Sequence, residues 1–134
     1  MLKGNKRFLL MLLTLALPFG CAGCSDGGGA ATYEQISAAD AKALMDSESG
    51  YIIIDARTQE EYDQGHIPGA IMIPEYEIVD RAENELPDKD QLILVYCRSG
   101  RRSKIAAEEL VKLGYTNVKE FGGIIDWEYE TVKD

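Results

Sequence analysis

The 134-residue chain has one histidine, one tryptophan and three cysteines, and each scarcity excludes something. A single histidine (His66) rules out any mechanism that needs a histidine pair. Three cysteines (Cys21, Cys24 and Cys97) are too few for a disulfide scaffold, and no Cys/His spacing matches a zinc site. Positive charge is also short: 14 Lys and Arg stand against 23 Asp and Glu, a net charge of −9. That balance argues against nucleic acid as a partner, because a phosphate backbone is bound chiefly by cations. There are no internal repeats. The one long apolar run, residues 8–23, has 16 residues broken by Pro18, short of the roughly 20 that a spanning helix needs.

That run follows Lys3, Lys6 and Arg7, giving the basic and apolar regions of an export signal. It ends in Cys21-Ala22-Gly23-Cys24, where small residues before a cysteine resemble the lipobox of bacterial lipoproteins. Residues 1–23 therefore read as a lipoprotein-type signal peptide, with Cys24 the lipidated residue and Cys21 the alternative. An ordinary cleaved signal with incidental cysteines is the plainer reading. Residues 24–32, rich in glycine and small side chains, read as the lipidated cysteine and a flexible tether. The expected location is outside the cytoplasm, held to the cell membrane by lipid. Removing residues 1–23 leaves 11 basic against 23 acidic residues, a net charge of −12, on a chain that can build one core.

From residue 33 the pattern alternates between strands and helices, an α/β arrangement. Ser37 to Asp40 and Thr58 to Glu61 are capping-box starts of helices, the second helix stopping at Gly65. Residues 51–54 and, after its opening Gln91, the segment 91–96 are apolar runs, the pattern of parallel strands buried on both faces. Residues 70–73 read as a short strand and 75–86 as a helix. Helical spacing of Ile105, Ala106, Leu110 and Leu113 precedes Gly114 at a helix stop. Residues 117–121 read as the last strand, Gly122-Gly123 as a tight turn, and 124–129 as a final helical turn. Sheets of this kind bind ligands at the C-terminal ends of their strands.

Cys97 stands at such an end, followed by Arg98-Ser99-Gly100-Arg101-Arg102-Ser103 and a helix. Free backbone N–H groups at a helix start and the helix dipole stabilise a thiolate. Arg98, Arg101, Arg102 and Lys104 place four basic residues beside Cys97 in an acidic chain, a local trap for an anion. Positive charge at a helix N-terminus is unfavourable, so a purely structural loop has little reason to carry it.

This loop resembles the active-site loop of single-domain rhodaneses, written C-R-x-G-x-R-[ST]. The resemblance extends to Asp55-Ala56-Arg57 at a strand end, to the segment from Glu61 through His66-Ile67-Pro68-Gly69-Ala70 to Ile73-Pro74, and to Val118 through Gly122-Gly123 to Trp127, with Phe121 where leucine is common. It implies a rhodanese-like α/β/α domain over residues 33–134 with a five-stranded parallel sheet. It implies a sulfurtransferase that needs no metal or organic cofactor, with Cys97 as the nucleophile. A small anionic sulfur donor such as thiosulfate would load Cys97 as a persulfide, and cyanide or a thiol, a protein thiol included, would unload it. The loop amides of residues 98–103 would hold the persulfide, and Arg102 would close the loop. Arg98 or Arg101 would reach the donor's sulfonate. Asp55, Arg57 and Glu61 would order the loop from behind by ion pairs, although Asp55 also has Arg57 as a local partner. His66 reads as part of a structural turn and Trp127 as a core or lid aromatic. Two other classes use similar material. One is a protein-binding or sulfur-delivery module. The other is a phosphatase or arsenate reductase with a Cys-x5-Arg loop, in which the arginine would stand where this chain has Ser103.

Overall fold

The structure, a computed structural model, describes residues 32–134. The expected signal peptide, the lipidation at Cys24 or Cys21 and nearly all of the tether lie outside the described residues. Among the described residues, no helix is long and apolar enough to cross a membrane.

Five strands form one sheet: β1 Glu34–Gln35, β2 Ile52–Asp55, β3 Ile71–Met72, β4 Ile93–Cys97 and β5 Val118–Gly123. Their order is β1-β5-β4-β2-β3 and every pairing is parallel, with Ile54 beside Val95 and Val95 beside Glu120 at the centre. Four helices connect them: α1 Ala38–Ser47, α2 Gln59–Asp63, α3 Ile78–Glu85 and α4 Arg101–Lys112.

Strand alternation sorts the core into two layers. Ile93, Val95 and Cys97 of β4 face α3 and α4, where they meet Ala82, Ala106, Ala107 and Leu110. Leu94 and Tyr96 face the other way, toward Ala41, Ile67 and Phe121, with Leu44, Met45 and Trp127 packed around them. Every residue of β4 is buried, which explains a strand with no polar alternation. The result is the α/β/α three-layer arrangement with a five-stranded parallel sheet.

Local chemistry starts the helices where the sequence places them. Ser37 caps α1 in a capping box with Asp40, and Thr58 caps α2 in one with Glu61. Elsewhere the structure departs from the sequence reading. Gly122 and Gly123 do not turn the chain; they prolong β5, where Gly123 pairs with Cys97. Residues 75–86 begin as a 3-10 turn, Glu75–Glu77, before α3, because Pro74 leaves no regular cap. The final turn is only Ile124–Asp126. Ile105 is 37% exposed; the buried stripe of α4 runs through Ser103, Ala106, Ala107 and Leu110, so a polar serine takes an inward position. The two-residue edge strand β1 carries no apolar alternation and is held by backbone pairing to β5.

Candidate active site

Cys97 is the last residue of β4, buried on a sheet whose pairing slips by one residue between Val95 and Cys97. The slip lets the chain leave the sheet and wrap a short loop before α4. Gly100, the N-cap of α4, has φ +104, a left-handed conformation that L side chains resist. It turns the backbone back on the sulfur: the Gly100 N–H donates to Cys97 Sγ at 3.0 Å. Ser103, one turn into α4 and fully buried, brings Oγ to 3.4 Å from the same sulfur.

Burial pushes the Cys97 thiol pKa up. The Ser103 hydroxyl, then the backbone N–H groups of Ser103, Gly100 and Ser99, pull it down and prevail, so it lies below the ordinary thiol value. This refines the sequence reading. The groups that chiefly stabilise the thiolate are a hydroxyl and the converging amides, with the Arg102 charge acting on the sulfur as well.

The loop is braced from two sides. Arg102 makes a two-pronged ion pair with Glu61 of α2, at 2.7 and 2.8 Å. Glu61 also accepts the Thr58 N–H and hydroxyl; these bonds, led by the one from Arg102, hold its carboxyl down at about 2. On the other side β5 passes so close that a Cβ on Gly123 would stand 2.0 Å from the Arg98 carbonyl oxygen. The Ile125 N–H donates to that same carbonyl at 3.3 Å.

Arg98, Ser99, Arg101 and Lys104 are exposed. Arg98 lines a cleft of about 470 Å³ with Arg57, Glu61, Gln64, Ile125 and Tyr129 among its walls. Gln64, Ile125 and Tyr129 carry no sequence signal for such a place. Asp55 and Arg57 are brought to the site's edge but bind each other. Both Asp55 oxygens accept from the Arg57 guanidinium, Tyr96 donates its hydroxyl to Asp55 at 2.6 Å, and Arg57 reaches the Gly65 carbonyl at 2.7 Å. Of the three acidic and basic residues expected to order the loop, only Glu61 bonds to it. The local alternative for Asp55 is the observed one, because a buried carboxylate takes the nearest guanidinium.

His66 is buried between two turns, stacked on Tyr62 with ring centroids 3.7 Å apart and bridged through its backbone to Val132. Trp127 packs 5.8 Å from Phe121 while lining the cleft. Sequence reasoning missed Glu120, a 2%-exposed carboxyl that accepts the Ser103 hydroxyl at 2.6 Å and the Gly122 N–H at 2.8 Å. The only available signal was a glutamate in the terminal strand, two residues from Val118 and so on the same face as that apolar residue. Among the described residues no group of His, Cys, Asp and Glu is placed to hold a metal ion.

Comparison with known proteins gives this arrangement relatives. The family model described as the rhodanese-like domain matches residues 37–130. The chain is 44% identical over 80 residues to thiosulfate sulfurtransferase PspE of Escherichia coli, covering 60% of this chain and 77% of that one. It is 42% identical over 85 residues to a sulfurtransferase of Allochromatium vinosum, covering 63% and 77%. A solved structure described as a rhodanese with anions from E. coli aligns with a TM-score of 0.59 at 42% identity, covering 63% of this chain and 99% of that one.

Proposed function

The chain belongs to the rhodanese-like domain family, and from that membership we propose that it moves sulfane sulfur from thiosulfate to cyanide or a thiol through a persulfide on Cys97. Sulfurtransferase relatives support sulfur transfer in general; the donor, the acceptor and the covalent intermediate are our reading. The observation that carries it is a buried sulfur with its pKa lowered by a hydroxyl and converging amides, in a loop whose exposed Arg98 lines a cleft.

The Cys97 thiolate attacks the outer sulfur of thiosulfate. A new S–S bond forms, the donor's S–S bond breaks, and sulfite leaves with the electron pair. The enzyme then carries Cys–S–S⁻, which cyanide attacks to leave as thiocyanate, returning the thiolate. No proton and no external oxidant is needed at either step. The Gly100 amide faces the sulfur, and exposed Arg98 and Arg101 meet the donor's sulfonate as charge-assisted partners. Glu61 and Arg102 keep the loop in shape. Residues 1–23 export the chain, and lipid on Cys24, or on Cys21, holds it to the membrane. Incorporation of labelled fatty acid, lost in Cys24→Ala or in Cys21→Ala, tests and assigns that anchor.

The sulfur chemistry is tested by intact mass of the protein with thiosulfate and then cyanide, beside Cys97→Ser. The expected result is a gain of about 32 Da, removed by cyanide and absent from Cys97→Ser. An unmoved mass with hydrolysis of an aryl phosphate overturns the proposal in favour of a phosphatase. An unmoved mass with neither reaction leaves a binding module.

A further inference from the structure

Glu120 is a buried carboxyl group that the sulfur chemistry above leaves without a task. It lies on β5 beside Val95 of β4, and the cations around it are engaged elsewhere: Arg102 with Glu61, Arg57 with Asp55, Lys119 with Glu34. A buried carboxylate without a cation is costly unless hydrogen bonds hold it. Glu120 Oε1 has two, from the Gly122 N–H at 2.8 Å and from the Ser103 hydroxyl at 2.6 Å. The second is in the short range of an O–H donating to a charged oxygen. Ser103 has two weaker choices, the carbonyls of Gly100 at 3.1 Å and Gly122 at 3.3 Å. A hydroxyl has one proton and two lone pairs. With its proton on Glu120, Ser103 turns a lone pair to Cys97, and the 3.4 Å contact runs from the thiol S–H to Oγ. Thiol, hydroxyl and carboxylate form one chain.

We propose that Glu120 takes the proton of Cys97 through Ser103, acting as a positioning residue that activates the nucleophile; this rests on Cys97 being that nucleophile. The S–H bond breaks as a new O–H bond forms on Ser103. The original Ser103 O–H bond breaks as Glu120 Oε1–H forms. The products are a thiolate, an intact hydroxyl that now donates to it, and a neutral carboxylic acid. No proton enters or leaves, so the pocket holds one negative charge before and after. Two anions separated by a single hydroxyl would repel strongly in a buried setting. The transfer removes one as the other appears.

Of the remaining charged groups around the pocket none is hydrogen-bonded into this chain, although Arg102 also feels the charge on Cys97. On α4, Arg102 is tied to Glu61 of α2, with Glu75 of the turn before α3 acting on it from farther away. Arg98, Arg101 and Lys104 are exposed. On β1 the register partner of Glu120 is uncharged Gln35, and Lys119 alternates to the opposite face of β5. At the end of β2, Asp55 is held by Arg57.

The test is the pH profile of Cys97 alkylation by iodoacetamide in the full chain, read by peptide mass so that Cys21 and Cys24 do not contribute. A proton shared between two sites titrates in two macroscopic steps. A lower plateau comes from the thiolate with a protonated carboxyl, and a higher one follows loss of the last proton. Glu120→Gln keeps an oxygen for Ser103 and Gly122 but takes no proton. The expected result is two steps in the wild type and in Glu120→Asp, and loss of the lower plateau in Glu120→Gln. A single step in the wild type, or two unchanged steps in Glu120→Gln, overturns the proposal. If Glu120→Gln does not fold by circular dichroism, Ser103→Ala decides: loss of the lower plateau supports the relay and its persistence overturns it. Alkylation needs no sulfur donor, so the two ideas fail separately. Two steps with no gain of about 32 Da keep the relay and sink sulfur transfer from thiosulfate; the mass gain with a single step does the reverse.

Discussion

A single hydroxyl sets the reactivity of this site. The Ser103 side chain is the largest influence lowering the Cys97 pKa against the opposing effect of burial. Removing it in Ser103→Ala shifts thiolate formation to higher pH. A hydrogen bond to a charged group is worth about 1.5–3 kcal/mol, so persulfide formation in mildly acidic buffer is expected to slow by about tenfold, measured by stopped-flow mixing with thiosulfate. The wild type, its thiol held below the ordinary value, keeps its rate to lower pH before losing it. Glu61 behaves as a stability residue by the same logic. Its folded pKa of about 2 lies below the ordinary value of 4.5. The Arg102 pair therefore contributes fully above about pH 4.5, and that contribution is lost as pH falls toward about 2. Glu61→Gln is expected to cost about 1–2 kcal/mol at neutral pH and nearly nothing in strong acid, measured by urea unfolding at both pH values.

The active loop depends on two glycines for different reasons. A Cβ on Gly100 would make only ordinary van der Waals contacts, the nearest at 3.6 Å, but its φ is +104. Gly100→Ala therefore suffers backbone strain alone, about 1–2 kcal/mol. Gly123 has an ordinary extended backbone but would drive a Cβ into the Arg98 carbonyl at 2.0 Å. Gly123→Ala must push β5 and the loop apart, at about 1–3 kcal/mol, and is expected to abolish the persulfide mass gain. Thermal melts beside the mass assay separate the two variants. The sequence pattern marks both glycines, yet the second reads as a turn, because a glycine demanded by close approach has the same letter as one demanded by positive φ. The helix starts at Ser37 and Thr58 were legible because capping boxes are local. So was the cysteine loop, whose residues are contiguous. Glu120 was not, because its partner Ser103 is 17 residues away in the chain and no local rule pairs them. Ile105 misled for a related reason: the inward position went to Ser103, whose burial is satisfied by Glu120 and the sulfur.

For the molecule as a whole, the donor is an anion approaching an acidic body, net charge −9 over the full chain and −12 without residues 1–23, while exposed Arg98 and Arg101 stand at the loop. These fields act over different ranges. At about 0.01 M salt the screening length is about 30 Å, and the acidic surface as a whole repels the donor; near 0.15 M it is about 8 Å, and only nearby charges count. The expected kcat/KM for thiosulfate therefore rises with salt at first and falls at higher salt, as the arginines are screened in turn. In Arg98→Gln the falling limb flattens, a difference that steady-state rates across a salt series detect. The parallel sheet has a further consequence. All five strands run the same way, so the described chain enters at the foot of β1 while Cys97 caps the head of β4. In the lipid-anchored form proposed above, the chain would join the domain at the foot of the sheet and leave the reactive end on the far side, like a cup held by its base.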